Sequence, residues 1–333
     1  MTIKSQGFKR VAWLYPCNRR VGYTLILSLV RQMRRLGILV DEYNTINDFN
    51  IYDPRIVIDK IYDMRDCYDA VFVLDLGYLN DERLDRSHYR GPIILVAGDN
   101  PQSYSAAKLS ALKNLKRYIF QRPTNQGYFG EYYGHELTAY RYDGVLTSDL
   151  ETMYRYQKMN VPASWFPYWA DTVFHYPLLN SQRAVDLVTV MTPRTNRNKT
   201  MKLLEDSKDF IYSNGYGKSG IEVADHYRSG KIVFNKSNYG EITMRIPEAM
   251  ACGAMMLTDQ IKEKTGLYEL FEPRKDLETY STDEELFEKV LYYSKHESSR
   301  NKISNSGAAK VLKYHTQVCR VETMLNFSKS LKR

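Results

Sequence analysis

Arg245 and Glu248 are the pair in this chain whose types and spacing most readily suggest chemistry. Residues three apart share one face of a helix. An arginine near the start of a helix offers a planar fork of donors beside backbone N–H groups, a combination that suits a diphosphate. A carboxylate one turn on can accept two hydrogen bonds from neighbouring hydroxyls, such as those of a ribose. Together they describe a clasp for a nucleoside diphosphate. The same spacing also fits a solvated Arg–Glu pair on a helix surface.

The elements that must hold this pair can be read from Asn235 to Asp259, NKSNYGEITMRIPEAMACGAMMLTD. The stretch predicts a polar loop, a helix with Thr243 as N-cap, a glycine stop at Gly253 and a buried strand over Ala254–Thr258. Pro247 falls close enough to the helix start for its missing N–H to be tolerated.

Three further candidates follow. The loop TPRTNRNK places Arg194, Arg197 and Lys199 after a strand, where cations could stabilise charge building on a departing diphosphate; the alternative is a solvated basic turn. Gly215 to Gly220 spell G-x-G-x-x-G between a strand and a helix, yet the acidic residue of a dinucleotide site is missing after the next strand. Tyr212 stands where a phosphate-binding P-loop needs glycine. The glycines therefore predict a tight loop, with Tyr216 a candidate to stack on a base. Asp99 ends a buried strand, where it could take a proton from a hydroxyl or simply cap the following turn.

Strands alternate with helices throughout, which predicts α/β architecture with parallel, doubly wound sheets. In the first half, strands are expected at Val11–Tyr15, Ile38–Tyr43, Ala70–Leu76, Ile93–Ala97 and Gly144–Thr147. The second half repeats the plan at Val185–Met191, Phe210–Ser213, Ile232–Asn235 and Ala254–Thr258, and then ends in helices. A chain of 333 residues is long enough for two cores. The expected division is residues 1–175, 176–315 and a terminal helix over 316–333.

Composition narrows the class. At 43% hydrophobic and 26% charged residues the chain reads as globular. No apolar run reaches a membrane span, and MTIKSQGFKR has no apolar leader core. Cys17, Cys67, Cys252 and Cys319 are scattered without C-x-x-C pairs, which fits a reducing cytoplasm. The histidines show no metal-ligand spacing, so no structural metal is expected. No D-x-D triplet occurs, so a divalent ion clamped by paired carboxylates is not expected either.

The net charge of +8 is unevenly spread: residues 1–40 and 100–130 contain no acid. Arg19 and Arg20 follow the first strand, and Lys108, Lys113 and Arg117 follow the fourth. In a doubly wound sheet the first and fourth strands are expected to be neighbours, so these cations should lie side by side. Tyr104, Tyr118, Phe120, Tyr128 and Phe129 are interleaved with the second group, a mixture that suits a phosphate backbone with exposed bases. Solvated helix faces are the alternative.

RIPEAMACGAMMLTD resembles the signature of group 1 glycosyltransferases of the GT-B fold, in the CgeB-like branch. Tyr142–Pro177 and HESSRNKISNSGAAKVLKYHT are also similar to that branch. The resemblance implies two Rossmann-like domains facing a central cleft, with the last helix crossing back onto the first. It implies that Glu248 binds the donor ribose, that Arg245 and Arg197 lie by the phosphates, and that Asp99-Asn100-Pro101 supplies the base. Glu241 is the nearest match to the first acid of the wider E-x7-E pattern, one residue short in spacing. The implied activity is metal-independent transfer from a UDP-sugar to a hydroxyl, with no further cofactor. Phage DNA glucosyltransferases share the plan, so a hydroxymethyl pyrimidine in DNA is the leading acceptor. A polysaccharide, another anionic polymer or a spore-coat or surface protein is the alternative acceptor, and a nucleotide-sugar epimerase the alternative enzyme.

Overall fold

The computed structural model describes residues 5–15, 24–45, 54–74, 86–97, 142–178, 182–238 and 240–331. Internal contacts divide the chain into Met1–Pro167 with Arg320–Arg333, and Tyr168–Cys319. Among the described residues no helix is long and apolar enough to cross a membrane.

The first unit contains β1 (Arg10–Tyr15), α1 (Thr24–Arg35), β2 (Leu39–Asn44), α2 (Pro54–Asp63), β3 (Ala70–Val73), β4 (Ile93–Ala97), β5 (Gly144–Thr147), α3 (Leu150–Lys158) and β6 (Ala163–Trp165). Among the described residues every strand pairing of this unit is parallel, in the order β2-β1-β3-β4-β5-β6. The segments AVFV, IILVA and GVLT are buried along their whole length, as strands covered on both faces must be.

This order corrects one expectation. β3 lies between β1 and β4, so the two are not neighbours and their axes are ~10 Å apart at ordinary strand spacing. Residues 16–23 and 98–141 therefore do not leave adjacent strands. The alternation of strands and helices is the same for either doubly wound order, so sequence periodicity carries no information about which one forms.

The second unit contains β7 (Val185–Thr189), α4 (Thr195–Asp206), β8 (Tyr212–Asn214), α5 (Ile221–Ser229), β9 (Gly230–Asn235), α6 (Arg245–Ala251) and β10 (Met255–Asp259). A short helix α7 (Leu267–Leu270), β11 (Glu278–Tyr280), α8 (Asp283–Lys295) and α9 (Glu297–Tyr314) follow. Its strands are also all parallel, in the order β11-β10-β9-β7-β8. The order reverses direction between β7 and β9. The carboxyl ends of those two strands thus form the crevice where doubly wound sheets bind ligands.

The terminal helix α10 (Gln317–Ser330) has its latter part in the first unit. There Arg320 Nε donates to the Pro167 carbonyl at 2.6 Å. Phe327 packs so tightly on Gly144 that an added Cβ would lie 2.7 Å from its ring.

Helix α6 ends as its sequence predicts. Gly253 is left-handed at φ +74, its N–H bonds the Met250 carbonyl at 2.9 Å, and Ala254 N bonds the Ala249 carbonyl at 3.3 Å. That double closure is a Schellman stop, and it turns the chain directly into β10. The helix is seated against α9 at Gly307, where a Cβ would fall 2.2 Å from the Asp276 carbonyl and 2.7 Å from Met250 Cε.

Candidate active site

Arg245 opens α6 at the crevice between β7 and β9. Its Nε donates to the carbonyl of Val190, the residue just beyond β7, at 3.0 Å. Its Nη1 donates to the side chain of Asn235, the last residue of β9. One guanidinium thus joins both loops of the switch point. Asn235 is fully buried, accepts from Thr243 Oγ1 at 3.0 Å and donates to Thr258 Oγ1 at 2.7 Å. This corrects the expected N-cap: Met244 caps α6, while the Thr243 hydroxyl is used on Asn235.

Glu248 lies one turn further along α6 and is only 7% exposed. Burial pushes its carboxyl up to about 8; Arg245 and the Tyr227 hydroxyl act in the opposite direction, and Asp171 adds to the rise. Tyr227 donates to Glu248 Oε2 at 3.5 Å. Arg245 is 9% exposed, so the solvated surface pair is excluded. What stands here is a buried cation and a buried carboxyl on one helix face.

Arg197, in the first turn of α4, is also buried, at 6% exposed. Its Nε donates to the Lys236 carbonyl at 2.8 Å, and its Nη2 lies 3.9 Å from Glu241 Oε1. Burial lowers its pKa to about 10, helped by Arg245 and Arg194 and opposed by Glu241 and Asp259. Two buried guanidinium groups that repel each other favour an anion between or beside them. Glu241 also accepts from Asn238 N at 2.8 Å, which shapes the loop before α6.

The structure therefore gathers Arg245, Glu248, Arg197 and Glu241, with Arg194, the N-cap residue of α4, near Arg197. Lys199 is exposed on the same helix, close enough to Glu284 to influence its ionisation. Tyr216 is 60% exposed on the loop after the edge strand β8. That loop is anchored through Asn214, whose side chain accepts from Met191 N at 3.2 Å and donates to the Met191 carbonyl at 3.2 Å. Asp99, Arg19, Arg20, Lys108, Lys113 and Arg117 lie outside the described residues.

Sequence reading missed Asn235, Asp259 and Tyr227. Asp259 ends β10 and accepts from Ser237 N at 2.8 Å and from the Ser237 hydroxyl; that hydroxyl accepts from Gly240 N at 3.0 Å. Asn235 and Asp259 had a visible signal: each is the polar residue that closes a buried apolar run, at the sheet edge where ligands bind. Tyr227 had none.

Residues 197–326 match the glycosyl transferase-like family. Most of that match lies in the second unit. Within it the family match covers Arg197, Glu241, Arg245 and Glu248 together. No curated protein matches the sequence. Sucrose-phosphate synthase from Thermosynechococcus elongatus is similar in structure at 11% identity, with a TM-score of 0.67 over 97% of this chain and 99% of that one. Anabaena HepE in complex with UDP and glucose gives 10% identity and a TM-score of 0.63, over 97% of this chain and all (100%) of the other. T4 phage BGT in complex with its UDP-glucose substrate gives 13% and 0.56, over 97% and 100%. These likenesses give the whole chain the GT-B fold, with two Rossmann-like halves. The half that matches the glycosyl transferase-like family is the one that holds the buried Arg–Glu clasp.

Proposed function

We propose that this protein transfers a sugar from a nucleoside diphosphate sugar, a UDP-sugar, to an acceptor hydroxyl. The observation that carries the reading is the burial of Arg245 and Glu248 on one face of α6 at the β7/β9 switch point. Arg245 and Arg197 meet the diphosphate, and Glu248 accepts hydrogen bonds from the ribose hydroxyls. The bond from the sugar's anomeric carbon to the β-phosphate oxygen breaks, and a bond to the acceptor oxygen forms. The two guanidinium groups stabilise the charge left on the diphosphate, the largest effect expected in such a reaction. They do so without a divalent ion, in keeping with a sequence that has no D-x-D triplet. Asp99 takes the acceptor's proton in a single displacement that inverts the anomeric centre.

For the acceptor we favour a hydroxymethyl pyrimidine in DNA. The expected adjacency of the two basic loops no longer supports this choice. Its support is the acid-free, aromatic-rich stretch 100–130 and the likeness to the DNA modifying enzyme β-glucosyltransferase. Four scattered cysteines suit the reducing cytoplasm in which such a reaction would run.

The test is mass spectrometry of hydroxymethylated DNA and of a polysaccharide after incubation with a panel of UDP-sugars. A hexose or pentose mass added to the DNA supports the proposal, and one added only to the glycan moves the acceptor there. UDP released from no donor sinks the reading. Asp99→Asn should retain UDP binding and lose transfer; an active variant removes Asp99 as the base.

A further inference from the structure

We infer that Asn235 is a positioning residue that fixes the Arg245 guanidinium toward the donor diphosphate while leaving its charge unneutralised. The inference rests on the reading of Arg245 given above. Asn235 is fully buried, and its side chain makes three hydrogen bonds. Its Oδ1 accepts from Arg245 and from Thr243 Oγ1, and its Nδ2 donates to Thr258 Oγ1. Its backbone carbonyl accepts from the Tyr280 hydroxyl at 3.0 Å, which fixes the end of β9 as well.

The amide's orientation follows from chemistry. A guanidinium only donates, so the atom facing Arg245 must be the oxygen. The nitrogen is then left for Thr258, whose hydroxyl can accept. A carboxylate at this position would also accept from Arg245 and Thr243, but it would form a buried ion pair and cancel the charge that an anionic ligand requires. An amide holds the cation in place and stays neutral. One strand over, the position that closes β10 is a carboxylate, Asp259, which accepts from the Ser237 amide and hydroxyl and from the Thr258 hydroxyl.

Isothermal titration of UDP and of uridine into the wild type, Asn235→Asp, Asn235→Ala, Arg245→Gln and the double variant Asn235→Ala/Arg245→Gln tests this. Asn235→Asp, which keeps size and both accepted bonds, should weaken UDP binding at least tenfold and leave uridine binding unchanged. The double variant should bind UDP no more weakly than Arg245→Gln alone, because Asn235 acts through Arg245. Equal losses for UDP and uridine, or losses that multiply in the double variant, would assign Asn235 a merely structural part and overturn the inference. Wild-type UDP affinity in Asn235→Asp would do the same, and it stands as a test even if Asn235→Ala does not fold. A wild type that binds no UDP overturns the donor reading itself, an outcome distinct from the others.

Discussion

Charged side chains are gathered at both edges of these sheets, and they are compensated in different ways. At the amino edges two of the described cations have a carboxylate in direct contact, while a third, Arg183, is held by the carbonyls of Tyr227, Arg228, Gly230 and Cys252. Arg86 meets Asp143 at 2.8 Å, and Lys231 meets Asp186 at 2.6 Å. The same carboxylates accept backbone N–H groups, Asp143 from Ile93 at 2.7 Å and Asp186 from Ile211 at 2.9 Å, so they stitch one strand to the next. At the carboxyl edge of the second sheet, Arg197 and Arg245 lean on carbonyls and an amide, and Glu241 stands 3.9 Å from Arg197. The two neutralised pairs at the amino edges tie strand to strand. Charge left in excess at the other end is suited to a ligand.

The largest test of that contrast is to remove the excess charge. Arg245→Gln should cost ~100-fold in UDP affinity, about 3 kcal/mol, the worth of charge-assisted bonds to a phosphate. Glu248→Ala should cost a comparable amount through the lost ribose contacts. Arg86→Gln, at the amino edge of the first sheet, should leave UDP affinity unchanged. Calorimetry on the three variants decides it, and an Arg86→Gln loss as large as that of Arg245→Gln breaks the contrast.

Much of the scaffold beneath this contrast was legible in the sequence. Ile93–Ala97 and Gly144–Thr147 form at the predicted bounds, because an unbroken apolar run leaves little choice. β6 and β11 were not foreseen; each has three residues and no apolar run. In β11, Glu278 is buried because Tyr293 donates to it at 2.8 Å and Lys289 at 3.2 Å, partners that arrive from a later helix. The Arg–Glu spacing in the site was readable, whereas its burial was not, since that helix face becomes interior only against residues distant in sequence, Tyr227 on Glu248 and Val190 and Asn235 on Arg245. Asn235 looked like the first residue of a loop and became a hub for the same reason: its partners Thr243 and Arg245 come from the turn into α6, and Thr258 comes from β10.

The next largest effect concerns Glu248 and pH. Its pKa stands near 8 in the folded chain against an ordinary 4.5. The folded state therefore holds the proton more tightly than the unfolded chain does. The stability this contributes is full below about pH 4.5 and is lost as pH rises through 8. Glu248→Gln cannot ionise, so its ligand-free stability should stay flat over that range while the wild type falls by on the order of 3 kcal/mol. Denaturant titrations at pH 5, 7 and 9 measure this. Parallel curves for the two proteins would show that Glu248 is ionised throughout, and the carboxyl edge would then be as well compensated as the amino edges.

The smallest effect tests the stitching. The Asp186 carboxyl is held below the usual range although its burial acts to raise it, because the Ile211 N–H and Lys231 outweigh that burial. A depressed pKa contributes stability above the ordinary carboxylate range and loses it as pH falls through the folded value. Asp186→Asn keeps the shape and an acceptor for Ile211 but loses the charge facing Lys231. It should cost about 1 kcal/mol at pH 7, with the difference from wild type closing in acid. UDP affinity should not change, because Asp186 and Lys231 lie at the opposite end of the strands from Arg245. A variant that kept its stability but bound UDP more weakly would mean that charge at the amino edge reaches the carboxyl edge through the sheet, and the two ends could no longer be treated as separate devices.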